Sequence, residues 1–298
     1  RGDLGAAVAA YNEAIRLHPT LAEAYLNRGN VRLLQMDRAG ALADYDRALD
    51  LAPDDPDGYL DRGNVREQLG DWPGALADYD AALRLNPRSA RVYYNRGLGY
   101  HHRMDWEAAF ANYSTAVDLN PDYATAWCHH GMALYYLGDA EGAVASLDRG
   151  LTLGPPSALA LTTRGLAHAA RGRNDHAIAD YTAAITLTPK DPLIWNNRGI
   201  TRSRQGDWTA AIADYDEAAR LAPDDPDYPY NRGCARRDQG DSTGATRDFE
   251  TAVRIAPAHA SAWINLGYVR QQAGDLSGAL GDYTRGLTAD PENFRGLY

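Results

Sequence analysis

The stretch "WNNRGITRSRQGDWTAAIADYDEAARLAP" at residues 195–223 decides the fold, because its fixed points recur along the whole chain. Its glycine belongs to the series Gly29, Gly63, Gly97, Gly131, Gly165, Gly199, Gly233 and Gly267, spaced by 34 residues without a slip. Its alanine, Ala211, keeps the same clock with Ala41, Ala75, Ala109, Ala143, Ala177, Ala245 and Ala279. So does its last residue, Pro223, with Pro53, Pro87, Pro121, Pro155, Pro189, Pro257 and Pro291. Three interlocking series of one period mean stacked supersecondary units, each too small to bury its own apolar face alone.

Counted from residues 22, 56, 90, 124, 158, 192, 226 and 260, each unit reads as two helices, A then B. Asp55-Pro56-Asp57 and Asp191-Pro192 open helix A, with a carboxylate to cap free N–H groups and proline in the first turn. Gly70, Gly138, Gly206, Gly240 and Gly274 end it, where a left-handed residue is needed. The aspartate that follows each of them (Asp71, Asp139, Asp207, Asp241, Asp275) is placed to cap helix B, and the recurring proline stops that helix. A large residue stands four places before each repeating glycine, as in Tyr25, Trp127, Trp195 and Trp263, with Pro229 the exception. Tyr45, Tyr79, Tyr113, Leu147, Tyr181, Tyr215, Phe249 and Tyr283 fill the matching gap on helix B. Small facing large is how such layers interdigitate, so these aromatics read as core.

Beside the glycine stands Arg28, Arg62, Arg96, Arg164, Arg198 or Arg232, and helix B carries Asp44, Asp78, Asp180, Asp214, Asp248 or Asp282. Their joint recurrence reads as an ion pair between packed helices, which His130 and Ser146 replace in the fourth repeat. A phosphate-binding arginine row is the sharper alternative, but the matched acids would neutralise it.

The 195–223 stretch resembles a tetratricopeptide repeat of an Asn-Arg-Gly type found in bacteria, and the resemblance covers essentially the whole chain. It implies helix B of a truncated leading repeat at 1–21, eight repeats at 22–293, and the start of a further helix A at 294–298. The implied fold is all-α, a right-handed α-α superhelix (solenoid) of helix-turn-helix repeats with helix A lining a concave groove. The implied function is protein or peptide binding, without catalysis or a cofactor.

By that resemblance the second, fifth, sixth, ninth, twelfth and thirteenth residues of each repeat face the groove. The sixth series is Asn27, Asp61, Asn95, His129, Thr163, Asn197, Asn231 and Asn265. An asparagine amide both donates and accepts, so a file of them can hold an extended main chain of any sequence. The row is similar to the asparagine ladder of the O-GlcNAc transferase superhelix, interrupted here at Asp61, His129 and Thr163. The fifth series contains no lysine, which sets aside the carboxylate clamp of co-chaperones in this family.

On the same frame "WCHHGMALYY" (127–136) puts Cys128, His129, Met132, Tyr135 and Tyr136 on the groove face, beside Tyr94, Leu98, His101 and His102 of the preceding repeat. Adjacent histidines diverge by about 100° around a helix and cannot chelate one ion. Only a cross-helix set of His101, Cys128 and His129 would serve a metal, and none is expected. The patch reads instead as an aromatic binding hot spot whose imidazoles make binding pH-sensitive. The fourth repeat also loosens, with Gly150 for alanine and a doubled Pro155-Pro156, and a hinge is expected between residues 150 and 160.

The bulk numbers exclude other classes. Of 298 residues, 45% are hydrophobic and 23% charged, which fits neither a disordered nor a membrane-embedded chain. No run of eighteen apolar residues and no leader pattern is seen, so no membrane partner is expected. The net charge of −10 argues against nucleic acid. Two distant cysteines, Cys128 and Cys234, suit a reducing cytoplasm better than a disulfide scaffold. No GxxxxGK[ST], HExxH or Gly-x-Ser-x-Gly motif is present, so no enzyme is expected. The opening on Arg1 reads as the edge of a longer polypeptide. The alternative function is a sensor or oligomerisation region of a larger signalling or defence effector such as an ATPase or kinase. Separately, end-to-end self-association through the uncapped terminal repeats is expected of the array in isolation.

Overall fold

The two-helix period becomes seventeen α-helices and no strand among residues 3–290, the part of the chain that the computed structural model describes. The first compact unit, Arg1–Gly154, holds α1 (Leu4–Leu17), α2 (Ala22–Leu34), α3 (Arg38–Leu51), α4 (Pro56–Gln68), α5 (Trp72–Leu85), α6 (Ala90–His101), α7 (Trp106–Leu119), α8 (Ala124–Tyr136) and α9 (Ala140–Leu153). The second, Pro155–Tyr298, holds α10 (Ala158–Ala170), α11 (Asn174–Leu187), α12 (Pro192–Arg204), α13 (Trp208–Leu221), α14 (Asp227–Gln239), α15 (Ser242–Ile255), α16 (Ala260–Gln272) and α17 (Leu276–Ala289). Within each unit every helix packs on its successor, the stacking of an all-α solenoid. The further helix A expected at 294–298 lies outside the described residues. The division at Gly154 falls inside the 150–160 stretch where a hinge is expected from the sequence. There α9 closes on an extended glycine (φ −128°, ψ 176°), whereas α3 and α5 close near ψ 80°.

Local chemistry sets the helix ends. Asp207 accepts the Ala210 N–H at 3.1 Å, and Asp37, Asp71, Asp105, Asp139, Asp241 and Asp275 cap their B helices in the same way. The fifth repeat has Arg173 in that place and lacks the side-chain cap. The connection between helices A and B needs a left-handed residue, supplied by Gly70, Gly138, Gly206, Gly240, Gly274 and also Gly172, which the sequence reading passed over. Met36 (φ 64°) and Met104 (φ 59°) hold the same place without glycine's freedom. Both side chains are exposed, so their contacts offset little of the strain. Met104→Gly is expected to stabilise the chain by about 1 kcal/mol, seen as a raised melting temperature; a lowered one would contradict this.

The interior follows the small-on-large pattern. Tyr45, Tyr79, Tyr113, Tyr181, Tyr215 and Phe249 are fully buried, each ring lying over the repeating glycine of its own repeat. The phenols stay satisfied: Tyr45 donates to Asn30 at 2.6 Å and Tyr79 to Asn64 at 3.0 Å. The series of large residues and the series of prolines meet as well. Trp127, Trp195 and Trp263 donate their indole N–H to the carbonyls of Pro121, Pro189 and Pro257 at 2.9–3.0 Å.

The arginine–aspartate pairs form as read. Arg28, Arg62, Arg164, Arg198 and Arg232 each donate from Nε and Nη2 to the matched carboxylate at 2.5–3.1 Å. Two features went unread. A second arginine one turn later, Arg32, Arg66, Arg202 or Arg236, reaches the same carboxylate, and in the eighth repeat, where Leu266 stands in place of the first, Arg270 holds Asp282. The first arginine also reaches back to helix B of the preceding repeat, as Arg62 to Asp46 (2.9 Å), Arg198 to Thr182 (2.9 Å) and Arg232 to Asp216 (2.6 Å). One guanidinium therefore staples three helices. In the fourth repeat His130 does this without charge, between Ser146 (3.0 Å) and Ser114 (3.1 Å). Arginines committed in this way leave no row for phosphate.

Candidate functional site

Side chains of α6 and α8, with Trp106 of α7 and Tyr123, meet in one continuous aromatic surface inside the first unit. The Tyr94 ring lies 5.0 Å from Tyr123 and 5.5 Å, edge-on, from His129. His129 in turn lies 5.9 Å from His101, whose ring is 4.8 Å from Trp106. Trp106 stacks on Tyr136 at 4.1 Å and 13°, and Tyr135 meets Tyr136 edge-on at 5.4 Å. Leu98 packs beneath, against the Tyr113 cluster. Tyr136 remains 53% exposed. Sequence reasoning missed Trp106 and Tyr123. The signal for Trp106 was present, since Trp72, Trp106 and Trp208 each follow a capping aspartate at the start of helix B.

Two expected members are placed elsewhere. Met132 is 4% exposed, too deep to serve as a surface anchor. The Cys128 thiol lies over Gly150 of α9, in the space an alanine methyl takes in most other repeats. Gly150 is thus a fitted hole for the thiol, and Ile264 sits over Gly286 of α17 in the same way.

The asparagine row is mixed. Asn27 and Asn197 are partly exposed, and their side-chain amides make no hydrogen bond with any described residue. Asn95 donates to the Arg91 carbonyl one turn back, at 2.8 Å. Asp61 accepts from Arg91 at 3.1 Å. Asn231 donates to Asn196 of the preceding repeat at 2.9 Å, and Thr163 folds back onto the Leu159 carbonyl. Asn265 donates to the Ser261 carbonyl and accepts from Arg237. Of the three asparagines Asn197, Asn231 and Asn265, only Asn197 presents an unengaged amide. The other two brace neighbouring helices.

Burial favours the neutral form of His101, His129 and His130. His101 is lowered to about 4, first by desolvation and then by the neighbouring His129 and His102. Desolvation lowers His129 and His130 too, and raises Tyr94 to about 12. His129 donates from Nδ1 to the Thr125 carbonyl at 2.9 Å, which fixes its tautomer. At the edge of the patch His102 donates to Glu67 at 2.8 Å. Between His101 and His129 the space is closed by ring packing, and among the described residues no three His, Cys, Asp or Glu side chains converge as a metal site.

The sign of the pH effect follows. In the unfolded chain His101 protonates near 6.5, while in the folded chain it stays neutral down to about 4. Its contribution to stability is whole above pH 6.5 and declines as pH falls toward 4. Melting temperature is thus expected to drop between pH 6.5 and 4, and less steeply in His101→Gln. An equal slope in both proteins would contradict this. The pH-sensitive binding expected from the sequence is corrected accordingly: with His101 neutral above about 4 and His129 lowered by burial, binding through these two rings is expected to be level from pH 5.5 to 8.

A tetratricopeptide repeat model matches residues 103–158, 128–192, 162–226 and 230–294. Further repeat models of that description match residues 33–94 and 1–35. No curated protein matches the sequence. Among solved structures, a tetratricopeptide repeat protein from Parabacteroides merdae ATCC 43184 is 19% identical, with 87% of this chain and 98% of that one covered at TM-score 0.58. The Cut9–Hcn1 hetero-tetramer of APC/C is 16% identical, with TM-score 0.58 over 92% of this chain, which spans only 54% of that one. YrrB, described as a TPR protein with an unusual peptide-binding site, is 20% identical, with TM-score 0.55 over 62% of this chain and 95% of its own. At these identities the likeness shows the fold. No described helix is long and apolar enough to cross a membrane.

Proposed function

We propose that this chain, which belongs to the tetratricopeptide repeat family, is a non-catalytic scaffold that grips an extended segment of a partner protein or peptide on its A helices. The observation that carries the reading is the aromatic surface from Tyr94 to Tyr136. Its rings are neutral, partly exposed and held by one another, which is what a partner's apolar side chains anchor to. The unengaged amides of Asn27 and Asn197 add main-chain contacts, each contributing about 0.5–1.5 kcal/mol. A net charge of −10 favours a protein partner over nucleic acid, and the two unpaired thiols suit a cytoplasmic setting. Tyr136→Ala and His101→Ala are each expected to weaken a co-purified partner about tenfold, measured by calorimetry, with helicity unchanged. Full affinity in both variants would defeat the reading.

A further inference from the structure

In the second unit α12 and α14 enclose a cleft of about 300 Å³. Ile200 and Trp208 line one wall, Cys234 and Ala235 the other, and the Tyr215 ring lies between them. The Tyr215 hydroxyl is engaged by Ser203 at 3.3 Å and its ring is buried beneath the cleft, so the apolar surface on offer is that of the half-buried Ile200, Trp208 and Cys234. Two charges stand at the rim. Asp238 is matched by Arg237, which donates to it at 2.7 and 2.8 Å. Arg204 is exposed and makes no hydrogen bond or ion pair with any described residue, although Arg198 and Arg202 of the same helix are both tied to Asp214. Asn197, Ile200 and Arg204 fall on one face of α12 by their spacing of three and four residues. An unengaged amide, an apolar hole and an unmatched guanidinium therefore follow one another along about two turns of helix.

We infer that this cleft receives an acidic stretch of the partner, with an apolar side chain in the hole, the carboxylate of the adjacent residue on Arg204, and main chain held by Asn197. The inference rests on the groove reading above and adds the chemistry of the partner. A guanidinium beside an apolar wall discriminates carboxylate from ammonium by attraction to one and repulsion of the other, and it keeps its charge at every working pH. Lone apolar ligands would leave Arg204 unused, and lone acidic ones would leave the hole empty.

The test uses three capped dipeptide amides, acetyl-Leu-Asp, acetyl-Leu-Lys and acetyl-Ser-Asp, titrated into the full chain. The indole N–H resonance of Trp208, assigned with Trp208→Phe, reports the cleft. The leucyl-aspartyl probe is expected to shift it saturably and to bind about fivefold tighter than either control. Arg204→Glu, at an exposed side chain outside the core, is expected to invert the order of the Asp and Lys probes. Equal affinities for those two probes, an unchanged order in Arg204→Glu, or a Trp208 signal silent to all three would overturn the inference. Silence at Trp208 while a partner still binds through α6 and α8 overturns the cleft alone. A partner indifferent to Tyr136→Ala and His101→Ala overturns the groove reading as well.

Discussion

Asp214→Ala is expected to cost about 3–5 kcal/mol, because it breaks a buried ion pair from one side. Asp214 is 1% exposed and accepts two bonds from Arg198 and one from Arg202. Without it the Arg198 guanidinium, on a residue itself 8% exposed, keeps only its bond to Thr182 and its stacking over Trp195. A cation left with so few partners away from water is the expensive outcome. Removing both charges avoids it, so Arg198→Met with Asp214→Leu is expected to lose far less than Asp214→Ala alone. Denaturant unfolding of the two variants checks the order. A single variant costing under about 1 kcal/mol would mean the staple contributes little. The same residue binds two arginines on α12 and, through Arg198, a third helix, so hydrogen exchange should rise first in α11, α12 and α13.

Gly131→Ala is the second large effect. A methyl there would lie 2.7 Å from a Leu147 side-chain carbon and 2.9 Å from the Ala143 carbonyl oxygen. The carbonyl belongs to helix α9 and cannot rotate away, so α8 and α9 must separate. Overpacking of this kind costs about 1–3 kcal/mol, and the better helix propensity of alanine returns about 1. A net loss of about 1 kcal/mol, and at most about 2, is expected at Gly131. Gly63→Ala is the control, since its nearest neighbours are Tyr79 ring atoms at 3.0 Å and a backbone oxygen at 3.3 Å. There the ring can give, and the net change is expected near zero. Equal losses at the two sites would show that backbone approach is not what selects glycine.

The helices were legible because their signals are local. A 34-residue clock, capping aspartates and stop prolines act within a few residues, and they set helix ends now seen at Asp207, Gly206 and Pro223. The Arg198–Asp214 pair was legible because both partners recur with the repeat. Arg202 is equally periodic but went unread because pairing one arginine with each aspartate leaves it over, whereas a carboxylate accepts several bonds. The site was less legible. Positions expected to face a groove follow by resemblance from the repeat numbering, but whether a side chain there is available depends on its neighbours in adjacent repeats. Asn231 and Asn265 look identical to Asn197 in sequence, yet Asn196 and Arg237 engage them. Cys128 turned to Gly150 because its repeat has glycine where most carry alanine, a pairing at a fixed separation that Ile264 and Gly286 repeat and that went unread.

The most direct measurement is hydrogen exchange of the chain with and without its co-purified partner, resolved by helix. Slowed exchange concentrated in α6 and α8, with α7 and α9 little changed, is the predicted result. Protection confined to the B helices, with α6 and α8 exchanging as in the free chain, would contradict recognition on the A-helix face.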